Sequence, residues 1–150
     1  MSYFSGEYEC KIDAKGRIVL PAKLKAKLPE VSTSELVVKR GFEPCLVIYP
    51  MLEWKKVFNK VSGLSEFNQE FRTFQRSFLR GATEVDMDGN GRVLLPKTMT
   101  KFADIENEVI VVGTGNRIEI WNPEKYDEYL INDEAEFSDL AQKFLADENE

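Results

Sequence analysis

The sequence predicts an α+β fold of two tandem β-rich repeats with flanking helices, and three observations predict it. First, Gly16-Arg17-Ile18-Val19-Leu20-Pro21 returns 75 residues later as Gly91-Arg92-Val93-Leu94-Leu95-Pro96, with Gly6 over Gly81 and Asp13 over Asp88. Self-similarity at a fixed offset marks a duplicated structural unit. Second, each copy holds four short β-favouring runs bounded by turn residues. Third, an apolar stripe at helical spacing follows each copy.

The elements of each unit follow in order. A first strand, over Glu7 to Ile12 and again over Thr83 to Asp86, leads into a glycine-bearing turn. A three-residue aliphatic strand comes next and stops at Pro21 or Pro96. Proline suits the first position of a helix, so a short helix is expected to open there. Leu36 to Arg40 and Cys45 to Tyr49 form a strand pair around Gly41-Phe42-Glu43-Pro44. Val109 to Val112 and Arg117 to Trp121 form its counterpart around Gly113-Thr114-Gly115-Asn116. The offset shrinks between these runs, since Leu46-Val47-Ile48-Tyr49 faces Ile118-Glu119-Ile120-Trp121 and Trp54 faces Tyr126. Loops absorb such indels.

A longer helix is expected to close each unit. Phe67, Phe71, Phe74 and Phe78 mark the first, and Phe137, Leu140, Phe144 and Leu145 the second. Both stripes are expected to be core seams. The resulting division is residues 7–54 for repeat 1, 55–82 for a connecting helical segment, 83–126 for repeat 2, and 127–150 for an acidic helix and tail. Eight strands in two copies can hide their edges by pairing into one barrel-like sheet.

Composition narrows function. The 150 residues are 43% hydrophobic and 31% charged, ordinary for a globular chain. There is no histidine. Ser-His and Cys-His nucleophile pairs are therefore impossible and the commonest general base is missing. Cys10 and Cys45 are far apart, which leaves no zinc-ligand cluster. An enzyme is not expected, nor a metal, a cofactor or a small-molecule substrate. No apolar run approaches the roughly 20 residues of a membrane span. No signal peptide is visible at the start, and a reduced, cytoplasmic location without membrane contact is expected.

Net charge is −6, but it is unevenly spread. Cys10 to Pro29 holds six basic residues against Asp13 alone, whereas Glu119 to Glu150 holds eleven acids against two lysines. A basic N-terminal segment and an acidic tail permit one face for a polyanion. Lys23 and Lys27 lie four apart on the short helix and are candidate phosphate contacts. Arg72, Arg76 and Arg80 form an i, i+4, i+8 stripe, a candidate DNA contact that is expected instead to pair with acids of a neighbouring subunit or of the tail around Glu134 and Glu136.

The chemistry concentrates in Asp13-Ala14-Lys15-Gly16-Arg17 and Asp88-Gly89-Asn90-Gly91-Arg92. Asp can accept N–H bonds from its own turn, and Gly16 or Gly91 supplies positive φ. Arg then either pairs with Asp to staple the hairpin or projects to recognise phosphate or guanine. Both readings stand on chemistry alone. An EF-hand reading of Asp86-Met87-Asp88-Gly89-Asn90-Gly91 fails because Lys97 falls where a bidentate Glu is required. An aspartic dyad fails because each Asp has an Arg four residues on that keeps it ionised. A phosphate cradle lacks the Gly-Lys-Ser/Thr ending.

Gly6-Glu7-Tyr8, Ile12-Asp13-Ala14-Lys15-Gly16-Arg17 with Pro21, Tyr49-Pro50 before Trp54, and Arg117-Ile118-Glu119-Ile120-Trp121 in the second copy resemble the MraZ family nearly end to end. The resemblance implies an AbrB/SpoVT-like swapped-hairpin (double-split) β-barrel and ring-shaped homo-oligomers. It also implies binding to short direct repeats in promoter DNA, nucleoid association, and repression of the division and cell-wall gene cluster that includes its own gene. Carried over, Arg17 and Arg92 would contact double-stranded DNA, with Lys15, Lys11, Asn90 and Lys23 beside them. Asp13, Asp88, Gly16 and Gly91 would shape the loops. Asn90 stands where the first copy has Lys15, so the loops are expected to contribute unequally. The alternative is a ring-forming scaffold that offers the same loops to acidic protein partners.

Overall fold

Strand alternation decides which residues meet in this chain. A computed structural model describes residues 3–28 and 35–146; Pro29 and the last four residues of the acidic tail, 147–150, lie outside the described residues. The elements are β1 (Glu7–Lys11), β2 (Arg17–Val19), α1 (Ala22–Lys25), β3 (Glu35–Arg40), β4 (Leu46–Pro50), α2 (Met51–Ser62) and α3 (Gln69–Leu79). The second copy follows as β5 (Thr83–Asp86), β6 (Arg92–Leu94), α4 (Lys97–Phe102), β7 (Glu108–Gly113), β8 (Ile118–Trp121), α5 (Pro123–Glu128) and α6 (Glu134–Leu145). The tandem α+β organisation is as the sequence predicts.

Six strands form one antiparallel sheet in the order β1-β7-β8-β4-β3-β5, and β2 pairs with β6 in a separate ribbon. Exchanging each strand for its counterpart in the other repeat reverses the sheet order onto itself, so the repeats are related by a pseudo-two-fold axis between β4 and β8. The copies interleave: β1 of repeat 1 pairs with β7 of repeat 2, and β5 of repeat 2 with β3 of repeat 1. Hairpins are swapped between the repeats.

The ladder does not close into a barrel. β1 and β5 remain the outer strands, and the β2–β6 ribbon spans the gap, tied to the first hairpin by the isolated bridge Ile12↔Ile18. After Asp13 and Asp88 the chain turns out of the sheet. The three-residue strands beyond pair with each other.

Between sheet and ribbon lies the main core. Leu36, Val38, Leu46, Ile48, Val109, Val111, Ile118 and Ile120 face it from the sheet. Ile18, Leu20, Val93 and Leu95 close it from the ribbon side, with Leu24 of α1 and Met99 of α4. The opposite sheet face carries Val37, Val47, Tyr49, Ile110 and Trp121, with Trp54 of α2 over it. β4 is covered on both faces and is buried throughout, which is why it reads as an unbroken apolar run rather than an alternating one.

The helices depart from the sequence reading in three ways. Pro21 and Pro96 are extended N-caps, at φ −54°, ψ 138° and φ −60°, ψ 142°, so α1 and α4 begin one residue later. α2 runs through the 54/55 boundary and α5 through 126/127. The aromatic stripes are not core seams. Phe67 precedes the N-cap Asn68 and is 89% exposed, and Phe71 and Phe74 also face solvent. Of the four, only Phe78 packs on the core, stacked on Trp54 at 6.5 Å with ring planes 4° apart. Gln75 ties α3 to α2 by donating to the carbonyls of Val61 (2.8 Å) and Leu64 (3.1 Å) near the end of α2. No residue of α6 is buried, and Phe137, Phe144 and Leu145 are open to solvent.

Candidate nucleic-acid interface

Each Asp-x-x-x-Arg loop is built by its carboxylate. Asp13 Oδ1 accepts the backbone N–H groups of Lys15 and Arg17, both at 2.9 Å, and Oδ2 accepts Arg17 Nε at 2.8 Å. Asp88 does the same for Asn90 (2.9 Å), Arg92 (2.9 Å) and Arg92 Nε (2.7 Å). Backbone bonds close each turn, Asp13 N–H donating to Arg17 C=O and Asp88 N–H to Arg92 C=O, both 2.9 Å. Gly16 and Gly91 turn the chain at φ 87° and 78°, where a side chain would be strained. The N–H bonds from the Arg17 and Lys15 backbone and the Arg17 guanidinium hold the Asp13 carboxyl below its ordinary range, and Asp88 is lowered by the same set in its own loop.

The choice between staple and projection is answered by both at once. Each Asp takes only Nε. Among the described residues the terminal guanidinium nitrogens of Arg17 and Arg92 make no hydrogen bond, and the side chains are 26% and 32% exposed. The ion pair fixes the direction of a fork whose outer donors stay unspent, the preorganisation that bidentate recognition needs.

Register then brings the two arginines together. In the ribbon Arg17 lies opposite Leu94, and Val19 opposite Arg92. Ile18 and Val93 point inward and are fully buried, so Arg17, Val19, Arg92 and Leu94 share the outward face. Val19 and Leu94 are 55% and 53% exposed there. The loops also lock each other across the axis, Leu20 N–H donating to Gly91 C=O (3.0 Å) and Leu95 N–H to Gly16 C=O (2.9 Å).

The other candidates are placed differently. Lys15 and Asn90 are exposed on their loops, and Lys23 is exposed on α1. Lys11 leaves the set: it pairs in register with Glu108 and lines a pocket with Glu9 and Pro123. Strand alternation puts it on the sheet face opposite Cys10, which packs on the ribbon-side core. Lys25 was missed by sequence reasoning. Its Nζ lies 3.2 Å from where a Cβ on Gly91 would stand, and Gly91 is buried while Gly16 is not. Repeat 1 thus lends repeat 2's loop the cation that Asn90 withholds. The only signal was its place in the lysine-rich segment, because the contact depends on the hairpin exchange. Arg72, Arg76 and Arg80 are exposed and form no ion pair among the described residues, with the tail acids or otherwise.

These features define a class: an internally duplicated, hairpin-swapped α+β chain presenting a paired arginine ribbon. Comparison with known proteins gives the family. The family model described as "MraZ protein, putative antitoxin-like" matches residues 3–77 and again 78–147. The chain is 53% identical over 146 residues to "Transcriptional regulator MraZ" of Cytophaga hutchinsonii, covering 97% of each. Proteins of the same name from Christiangramia forsetii (39%, 96% of this chain and 94% of the relative) and Carboxydothermus hydrogenoformans (38%, 95% and 96%) are also similar. The chain belongs to the MraZ family.

Proposed function

We propose that this protein is a sequence-specific, DNA-binding transcriptional regulator whose β2–β6 ribbon enters the major groove. One observation carries the reading: two Asp-fixed guanidiniums stand on the same outward face of a two-stranded ribbon, with their terminal N–H groups unspent. The major groove admits such a ribbon, and an Arg fork matches the O6 and N7 acceptors of guanine. Val19 and Leu94 supply apolar contact for thymine methyl groups. Lys15 beside one loop and Lys25 beside the other face the phosphates.

Magnitude argues for assembly. Two bidentate arginine contacts contribute about 1–3 kcal/mol each. Nanomolar affinity needs about 12 kcal/mol. One subunit therefore falls short, and several ribbons on one ring, each over one box, make up the difference through effective concentration. The reading is accordingly a homo-oligomeric ring on short direct repeats of promoter DNA. Family membership supports repression of the division and cell-wall gene cluster, its own gene included, and a cytoplasmic, nucleoid-associated location.

The test is a fluorescence-anisotropy titration on the duplex upstream of the gene. Arg17→Ala and Arg92→Ala should each weaken binding about 5- to 150-fold per site. Loss on an unrelated duplex should be smaller, with assembly mass unchanged. Wild-type affinity in both variants would overturn the reading.

A further inference from the structure

Two apolar surfaces have no partner among the described residues, one concave and one convex. The concave one is a groove of about 600 Å³ lined by Val37, Trp54, Phe58, Leu79 and Ala82, with Lys55 and Glu84 among its polar members. It runs between α2 and the outer strand β5. The convex one is α6, a three-turn amphipathic helix with no buried residue. Its Phe137, Leu140 and Phe144 stand at i, i+3 and i+7, the spacing with which a helix anchors in a groove. Phe137 and Phe144 are 62% and 63% exposed.

The two surfaces also match in charge. α2, the helix that walls the groove, carries Lys55, Lys56 and Lys60 against Glu53, whereas α6 carries Glu134, Glu136 and Asp139 against Lys143. The pseudo-two-fold axis adds a further argument. The groove's counterpart on repeat 2, lined by Glu9, Lys11, Glu108 and Ile110 among others, measures about 260 Å³ and has no aromatic residue. α3, the counterpart of α6, is already committed to its own chain through Phe78 and Gln75. Each copy therefore offers one socket and one free plug, on different repeats.

We propose that the α2/β5 groove of each copy receives helix α6 of a second copy, with Phe137, Leu140 and Phe144 seated against Trp54 and Phe58. Socket and plug are different surfaces, so the contact is head-to-tail and propagates from copy to copy until the rotation closes a ring. The inference rests on the reading that the chain works as an assembly, and it names the joint.

The test blocks each surface in turn and then mixes the products. Phe137→Asp with Phe144→Asp spoils the plug; Phe58→Glu spoils the socket. All three side chains are solvent-exposed, and far-UV circular dichroism checks that both variants fold. Light scattering should give a monomer for each variant alone. An equimolar mixture at high concentration should give a heterodimer and nothing larger, because only one good plug and one good socket remain. A plug variant that keeps the wild-type assembled mass overturns the joint and leaves the ring reading standing. Folded variants that stay monomeric when mixed overturn the joint as well. A monomeric wild type, the result expected if α6 folds onto its own chain or the groove serves a foreign protein, overturns both joint and ring. None of these outcomes bears on the ribbon's arginines, which the anisotropy titration tests separately.

Discussion

Asp13 and Asp88 do their work through two oxygens with different tasks, one holding backbone and one aiming a guanidinium. Asp13→Asn should keep the turn, since an amide oxygen still accepts the two backbone N–H bonds, while loosening Arg17. Asp13→Ala should lose both. Anisotropy titrations should rank DNA affinity wild type above Asn above Ala, with thermal stability changing little because the carboxylates are exposed. With folded values lowered, the clamps are complete above the ordinary carboxylate value of 3.8 and are lost as pH falls through the depressed one. An acid titration followed on the Arg17 and Arg92 Nε–H signals by NMR should show them broaden only below that ordinary value. Lys39 presents the reverse case. It is buried with no carboxylate partner among the described residues, its Nζ 4.2 Å from the Phe78 ring centre, and burial lowers its pKa. Its charged form is penalised by folding, so stability from this residue rises with pH from the depressed value up to 10.5. Lys39→Met should raise stability by on the order of 1 kcal/mol at neutral pH and remove that alkaline rise, both read from thermal melts.

At the level of elements, the ribbon separates stability from recognition by strand alternation. Ile18 is fully buried, and Ile18→Ala should cost about 2–5 kcal/mol in a denaturant melt. Val19, one residue on, is half exposed. Val19→Ser should leave the melt within about 0.5 kcal/mol and change only the sequence preference on DNA. Opposite assignments would mean the ribbon faces the other way. The short strands, their turns and the paired loops were legible in the sequence because each is fixed locally, by β-branched runs, by Gly41 or Gly113, and by Asp four residues before Arg. The helical faces were not. Phe67, Phe71 and Phe74 have the spacing of a core seam, yet spacing cannot say whether a partner helix exists within the chain. The helical segment expected from residue 55 missed the start of α2 at Met51 and its separation from α3, because Trp54 and Val61 signal that helix more weakly than the phenylalanines beyond. Lys25 lay in plain view, but its value depends on a contact between repeats that no local pattern encodes.

At the scale of the whole molecule, neither repeat owns a complete sheet: the first hairpin of each completes the other. A chain of residues 1–82 should therefore be unstable alone and pair with a second copy, β1 of each taking, beside β3 of the other, the place that β5 holds in the full chain. Sedimentation should show a dimer whose unfolding midpoint rises with concentration, whereas a folded monomer would contradict the interleaving. Fusing the two halves has released them from identity. One loop carries its own Lys15; the other borrows Lys25 and packs Gly91 beneath it. A pair of identical halves would read the same text from either end and favour palindromes. These unequal halves give the ribbon a front and a back, so each box has a reading direction, and neighbours joined in one sense around a circle would all have to meet that text running the same way.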